Sequence, residues 1–129
     1  CLIPILADGN LCLIRQFRYG PREEFIEIPA GKLDNGEDPV DCAYRELEEE
    51  TGIRVDKLEL DPDFRFTLQY NVRPRELNQS MAQKTLVVFL GQLVEETPIL
   101  VTEHIGFRWV TWDPPHQIQT QTRNIMIRF

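Results

Sequence analysis

The chain has few of the devices that hold a small protein together without a core or attach it to a surface. Its three cysteines, Cys1, Cys12 and Cys42, show no close pairing and no metal-ligand spacing. That argues against a disulfide framework or a cysteine-based zinc site, and it leaves three small thiols suited to a reducing compartment. No apolar run reaches the roughly 20 residues of a membrane-spanning helix, so no membrane partner is expected. Positive charge is scarce: 14 Lys and Arg against 21 Asp and Glu give a formal net charge of −7. A broad electrostatic footprint for nucleic acid is therefore disfavoured, whereas a small phosphorylated ligand, neutralised locally by metal and a few basic side chains, stays open. Internal repeats and low-complexity stretches are absent. The chain opens on Cys1 without a methionine, which reads as a piece excised or processed from a longer protein. What is present, 129 residues of which 42% are hydrophobic, suits one compact domain over 1–129 with its own core.

Leu2–Leu6 and Leu11–Ile14 are apolar stretches separated by Ala-Asp-Gly-Asn, a hairpin pattern centred on Asp8-Gly9. Phe25–Pro29 reads as a short strand that Pro29 ends. Asp38 as N-cap, Pro39 at the first helical position and Gly52 just past the end predict a helix over 38–51. Lys57–Leu60 and Phe64–Tyr70 alternate as half-buried strands, and Leu86–Leu90 reads as buried on both faces. The polar stretch Asn71–Gln83 reads as an exposed loop that frames a ligand. Phe107–Val110 is a last strand, and a short helix is expected in the tail from Asp113 to Phe129. Strands, a helix, more strands and a further helix fit an α/β sandwich with a mixed sheet better than alternating parallel units.

Glu46, Glu49 and Glu50 stand at i, i+3 and i+4 of the expected helix, so three carboxylates share one face. Val40, Ala43, Tyr44 and Leu47 fall on an adjoining face that can pack on the sheet. An acidic run of this kind is commonly a solvated helix face. Equally, three hard oxygen donors that repel one another suit Mg²⁺ or Mn²⁺, which converts the repulsion into coordination and bridges to phosphate.

Spacing decides between these readings. Gly31, Glu37, Arg45, Glu46, Leu47, Glu49, Glu50, Gly52 and Ile53 meet every fixed position of the pattern G-x5-E-x7-R-E-U-x-E-E-x-G-U, where U is a bulky aliphatic residue. The segment resembles the Nudix box, and the chain is identified by it as similar to the Nudix hydrolases. The resemblance implies an α/β/α sandwich with a mixed β-sheet and a loop–helix–loop metal site. Its ligands would be Glu46, Glu49, Glu50 and the carbonyl of Gly31, and its cofactor Mg²⁺ or Mn²⁺. It also implies that Arg45 is architectural, pairing with Glu37 or Glu49. The reaction implied is attack of water on phosphorus in a diphosphate linkage, with a box glutamate such as Glu49 or Glu50, or one from a later loop, as general base. Gly31 and Gly52 are expected at backbone conformations other residues resist, and Leu47 and Ile53 in the core.

Two stretches outside the box point to different substrates. Arg15–Tyr19 followed by Glu27–Gly31 is similar to ADP-ribose pyrophosphatases. Phe64, Tyr70, Lys84–Val87 and Glu103-His104 ahead of Phe107–Trp109 resemble asymmetrical diadenosine tetraphosphate hydrolases. Tyr70 offers an aromatic face or a hydroxyl, Lys84 a point charge for polyphosphate, and Arg18 or Arg73 a reach to phosphates, although each also suits a structural role. Glu103 is the candidate outside the box for general base or added metal ligand. His104 is expected to pack beside Trp109, phosphate orientation being the alternative. The expected partner is a nucleotide-like small molecule, or an RNA 5′ end presenting the same bonds. A competing class is a non-catalytic nucleotide-binding or RNA-binding subunit of the same fold, against which the complete set of box glutamates counts.

Overall fold

The computed structural model describes residues 1–73 and 80–111. Among the described residues, six strands form one mixed sheet: β1 (Leu2–Ile5), β2 (Asn10–Arg18), β3 (Glu23–Glu27), β4 (Leu58–Val72), β5 (Ala82–Leu93) and β6 (Gly106–Thr111). Their order is β3-β2-β1-β5-β4, with β6 also paired to β2. Ile14 of β2 faces Glu27 of β3 on one side and Phe107 of β6 on the other. β1 runs parallel to β5, while the other pairings are antiparallel. The β1–β2 turn lies where Asp8-Gly9 predicts it, with Gly9 at φ 86 and Asp8 bonded to the Asn10 main chain.

Helix α1 (Pro39–Thr51) follows from its end signals. The Asp38 carboxylate accepts from Val40 N–H at 2.8 Å, Pro39 supplies a preset φ, and Gly52 closes the helix at φ 74. Ala43 and Leu47 project onto the sheet and join Leu2, Ile53, Leu58, Phe89 and Leu93 in one core cluster. Ile3, Leu11, Leu13, Ile28 and Val88 form a second. Neighbouring residues Leu2 and Ile3, like Val88 and Phe89, belong to different clusters, because successive strand side chains point to opposite faces. β1 and β5 are therefore the central strands that carry both halves of the core.

The domain is α/β with a mixed sheet, and three boundaries differ from the sequence reading. β3 ends at Glu27, before Ile28-Pro29-Ala30, because this segment leaves the ladder to pack inward and Ala30 N–H is taken by a helix carboxylate. The two strands expected at 57–60 and 64–70 are one strand, β4, whose register shifts between Leu60 and Arg65. Pro62 there lacks a ladder donor, but the strand keeps its direction past it. The loop expected over Asn71–Gln83 is shorter, since Asn71 pairs with Gln83 and Val72 with Ala82. Main-chain pairing does not depend on side-chain polarity, so a polar hairpin end is invisible to hydrophobic periodicity. The helix expected in the tail from Asp113 lies outside the described residues. Among those described, no helix is long and apolar enough to cross a membrane.

Candidate active site

The loop before α1 and the helix itself meet at Gly31. A Cβ on Gly31 would fall 1.8 Å from the Glu46 carboxyl carbon, so the glycine is there to admit that carboxylate against the main chain. This corrects the expectation of an unusual backbone conformation at Gly31; among the two box glycines, positive φ belongs to Gly52. Glu50, one turn further on, reaches the same loop: its Oε2 accepts from Ala30 N–H at 2.9 Å. Its Oε1 lies 2.9 Å from His104 Nε2, and the two side chains are 8% and 7% exposed. Burial raises the Glu50 carboxyl above its ordinary pKa, against the pull of His104 and of the Ala30 N–H. Glu49, in contrast, is 56% exposed.

Arg45 ties the loop to the helix. Its guanidinium takes Glu37 in a two-point contact at 2.9 and 3.0 Å, donates to the Lys32 carbonyl at 3.0 Å and reaches Glu46 at 2.8 Å. Glu49 lies at 3.4 Å from it. Glu37 also accepts from Asp34 N–H, and these contacts, Arg45 foremost, hold its pKa down at about 2. Among the described residues, no three His, Cys, Asp or Glu side chains converge tightly enough to hold a metal ion as they stand. The donor set nevertheless fits a hard divalent cation. Glu46 and Glu50 both converge on Ala30-Gly31, the box side chains all offer carboxylate oxygens, and Glu49 stands on the same helix face, 56% exposed.

A cleft of about 250 Å³ opens beside this loop, lined by Gly31, Lys32, Leu33, Tyr70, Lys84 and Leu86 among others. Tyr70 and Lys84 are direct cross-strand partners in β4 and β5, which brings residues far apart in sequence to one wall. Arg18 does not line it: the side chain pairs with buried Glu27 at 2.7 Å and lies over the Phe25 ring. Glu103 is exposed in the segment before β6, also outside the cleft lining. His104 is the residue whose contact sequence reasoning missed. The sequence places it beside Trp109 or a phosphate, whereas the structure sets its Nε2 2.9 Å from Glu50. The adjacency of Glu103 and His104 was the available signal, but helix spacing says nothing about a segment 54 residues away.

A mixed sheet with a loop–helix–loop in which Glu46 lies against Gly31 and Glu50 against the Ala30 N–H defines an α/β domain with a carboxylate-bearing helix packed on its loop. The chain belongs to the NUDIX domain family, whose model matches residues 1–129. It is 44% identical over 57 residues to an ADP-ribose pyrophosphatase of Bacillus subtilis (strain 168), a match spanning 44% of this chain and only 31% of that protein. It is 30% identical over 122 residues to an RNA pyrophosphohydrolase of Pseudoalteromonas translucida (strain TAC 125), across 86% of this chain and 70% of the other. A solved C. elegans Ap4A hydrolase binary complex superposes with a TM-score of 0.65 at 25% identity, covering 85% of this chain and 76% of that one. Divalent metal is the general cofactor of this family.

Proposed function

We propose that this domain is a divalent-metal-dependent pyrophosphohydrolase that cuts a phosphoanhydride bond in a dinucleoside polyphosphate or nucleotide 5′-polyphosphate, an RNA 5′ end included. One observation carries the reading: Tyr70 and Lys84 line the same cleft as Gly31, against which the Glu46 carboxylate rests. A polyphosphate chain lying there would meet the Lys84 ammonium and the glutamate-bearing loop together, with Tyr70 beside its nucleoside end.

Glu46, Glu49, Glu50 and the Gly31 carbonyl would hold Mg²⁺ or Mn²⁺. When bound, the metal neutralises phosphate oxygens and makes water a stronger nucleophile. The chain's own groups do the rest. Arg45 and Glu37 keep the loop closed on the helix. Glu49, which also touches Arg45 at 3.4 Å, and Glu103 are exposed and would take a proton from the attacking water, while Glu50, held by Ala30 N–H and His104, keeps further lone pairs for the metal. Arg18, held by Glu27, would need to release that partner to touch substrate.

ADP-ribose is the second reading, favoured by the 44% identity to the B. subtilis enzyme. Product analysis with Mg²⁺ or Mn²⁺ on diadenosine tetraphosphate, ADP-ribose and a 5′-triphosphorylated oligonucleotide separates the readings. Glu49→Gln should lose at least about 100-fold in turnover while keeping its fold, in the range expected when acid–base participation is removed. Full turnover by that variant would refute the role given to Glu49. Failure of the wild type to cleave any of the three, with nucleotide binding retained, would make the domain a binding subunit.

A further inference from the structure

The segment 99–105 does more than connect β5 to β6. Leu100 N–H donates to the Thr51 carbonyl at 2.8 Å, Thr102 Oγ1 to the Glu49 carbonyl at 3.1 Å, and His104 Nε2 lies 2.9 Å from the Glu50 carboxylate. Three consecutive residues at the end of α1 are thus each tied to an alternate residue of this segment. Leu100 makes its tie through the main chain, whereas Thr102 and His104 make theirs through side chains as the segment bends past the helix end. Glu103 sits between two of the ties and stays exposed. The His104 ring is buried, and its Nδ1 has no hydrogen-bond partner among the described residues, so Glu50 is the ring's one polar tether there. Nothing about the ring is explained by solvation, and a side chain filling apolar space would not need an imidazole at this spot.

We propose that residues 100–104 form a strap docked on the C-terminal end of α1, in which Thr102 and His104 are positioning residues: His104 fixes the Glu50 carboxylate, and the two ties together hold Glu103 beside the metal-binding helix. The inference rests on the hydrolase reading above but extends to residues outside the box. Glu50 has two oxygens; with one held by Ala30 N–H and the other by His104, its carboxylate plane has a single orientation. Partners that orient a ligand carboxylate in this way typically affect metal affinity or activity by about 10–100-fold when removed.

The test uses the whole domain and two readouts: Mn²⁺ affinity, from the paramagnetic resonance signal of free Mn²⁺ during titration, and kcat and KM on whichever of the three substrates the wild type cleaves. His104→Leu is expected to weaken Mn²⁺ binding about 10-fold and to lower kcat by at least as much, with KM changed less than about 3-fold. His104→Gln, which keeps an amide donor near the Nε2 position, should recover most of the Mn²⁺ affinity. In a Glu50→Gln background, His104→Leu should add no further loss. Thr102→Val, which removes an exposed hydroxyl tie and leaves the buried pair intact, should lower kcat about 3-fold or more without altering Mn²⁺ affinity. Wild-type Mn²⁺ affinity in His104→Leu would overturn the proposal. So would equal failure of His104→Gln and His104→Leu in folded protein, which would make the ring a core filler. If His104→Leu does not fold, His104→Gln and Thr102→Val still decide: unchanged kcat in Thr102→Val refutes the strap. A wild type that cleaves none of the substrates would sink the hydrolase reading, while the Mn²⁺ titrations would still show whether His104 positions Glu50.

Discussion

At the scale of single residues, the site depends on what a glycine leaves room for. Gly31→Ala would put a methyl group where the Glu46 carboxylate sits. That carboxylate is the mobile end of a long side chain, so it can swing away at little cost to folding. We therefore expect Gly31→Ala to keep a melting temperature within a few degrees of wild type while losing most of its Mn²⁺ affinity and turnover. Calorimetry alongside a metal titration would check the pairing, and a large fall in melting temperature with unchanged metal binding would contradict it. Glu37 supports a second prediction. Its carboxyl, held at about 2 by Arg45 and the Asp34 N–H, has an ordinary value of 4.5. A depressed folded-state pKa contributes stability that is complete above the ordinary value and is lost as pH falls through the folded one. The stability difference between wild type and Glu37→Gln should thus be full above about pH 5 and shrink to nothing near pH 2, as followed by urea unfolding across that range. A difference independent of pH would mean that Glu37 acts by packing alone.

Elements add constraints that no single residue carries. Helix α1 ends where it does because Gly52 takes the left-handed conformation and its N–H bonds to the Glu48 carbonyl at 2.8 Å. A Cβ at this position would also stand 3.2 Å from Leu100 Cβ, the first residue of the strap. Gly52→Ala should destabilise the domain by about 1–2 kcal/mol from backbone strain. Because it presses on the strap, it should also lower kcat, whereas strain confined to the cap would leave kcat alone. Chemical denaturation and steady-state kinetics on the same preparation distinguish these outcomes.

For the molecule as a whole, the helix is held to the sheet by few large side chains. Leu47, 1% exposed, is the central one, and it lies next to Glu46 in sequence. Leu47→Ala should cost about 2–5 kcal/mol, depending on how far the cavity collapses. Since the helix also carries the glutamates, partial loosening would weaken metal binding before global unfolding. Mn²⁺ titration at increasing urea should therefore show affinity falling ahead of the unfolding transition in this variant, and coincident transitions would show that the helix and sheet unfold as one unit.

How much of this was written in the chain can be followed element by element. Asp38, Pro39 and Gly52 determined α1 nearly to the residue, because caps act through neighbours along the backbone. Glu46, Glu49 and Glu50 share a face because helical geometry is local, and the box spacing identified the family on that ground. Tertiary structure decided what distant segments bring. It set Glu49 in solvent and buried Glu50, because the Ala30 main chain and His104 close over only the second. Cross-strand register joined Tyr70 to Lys84 in one cleft, and the Glu27 partner drew Arg18 away from it. Spacing along a chain specifies which side chains share an element's face. Which of those faces is covered, and by what, depends on contacts between segments whose separation in sequence has no bearing on their distance in space.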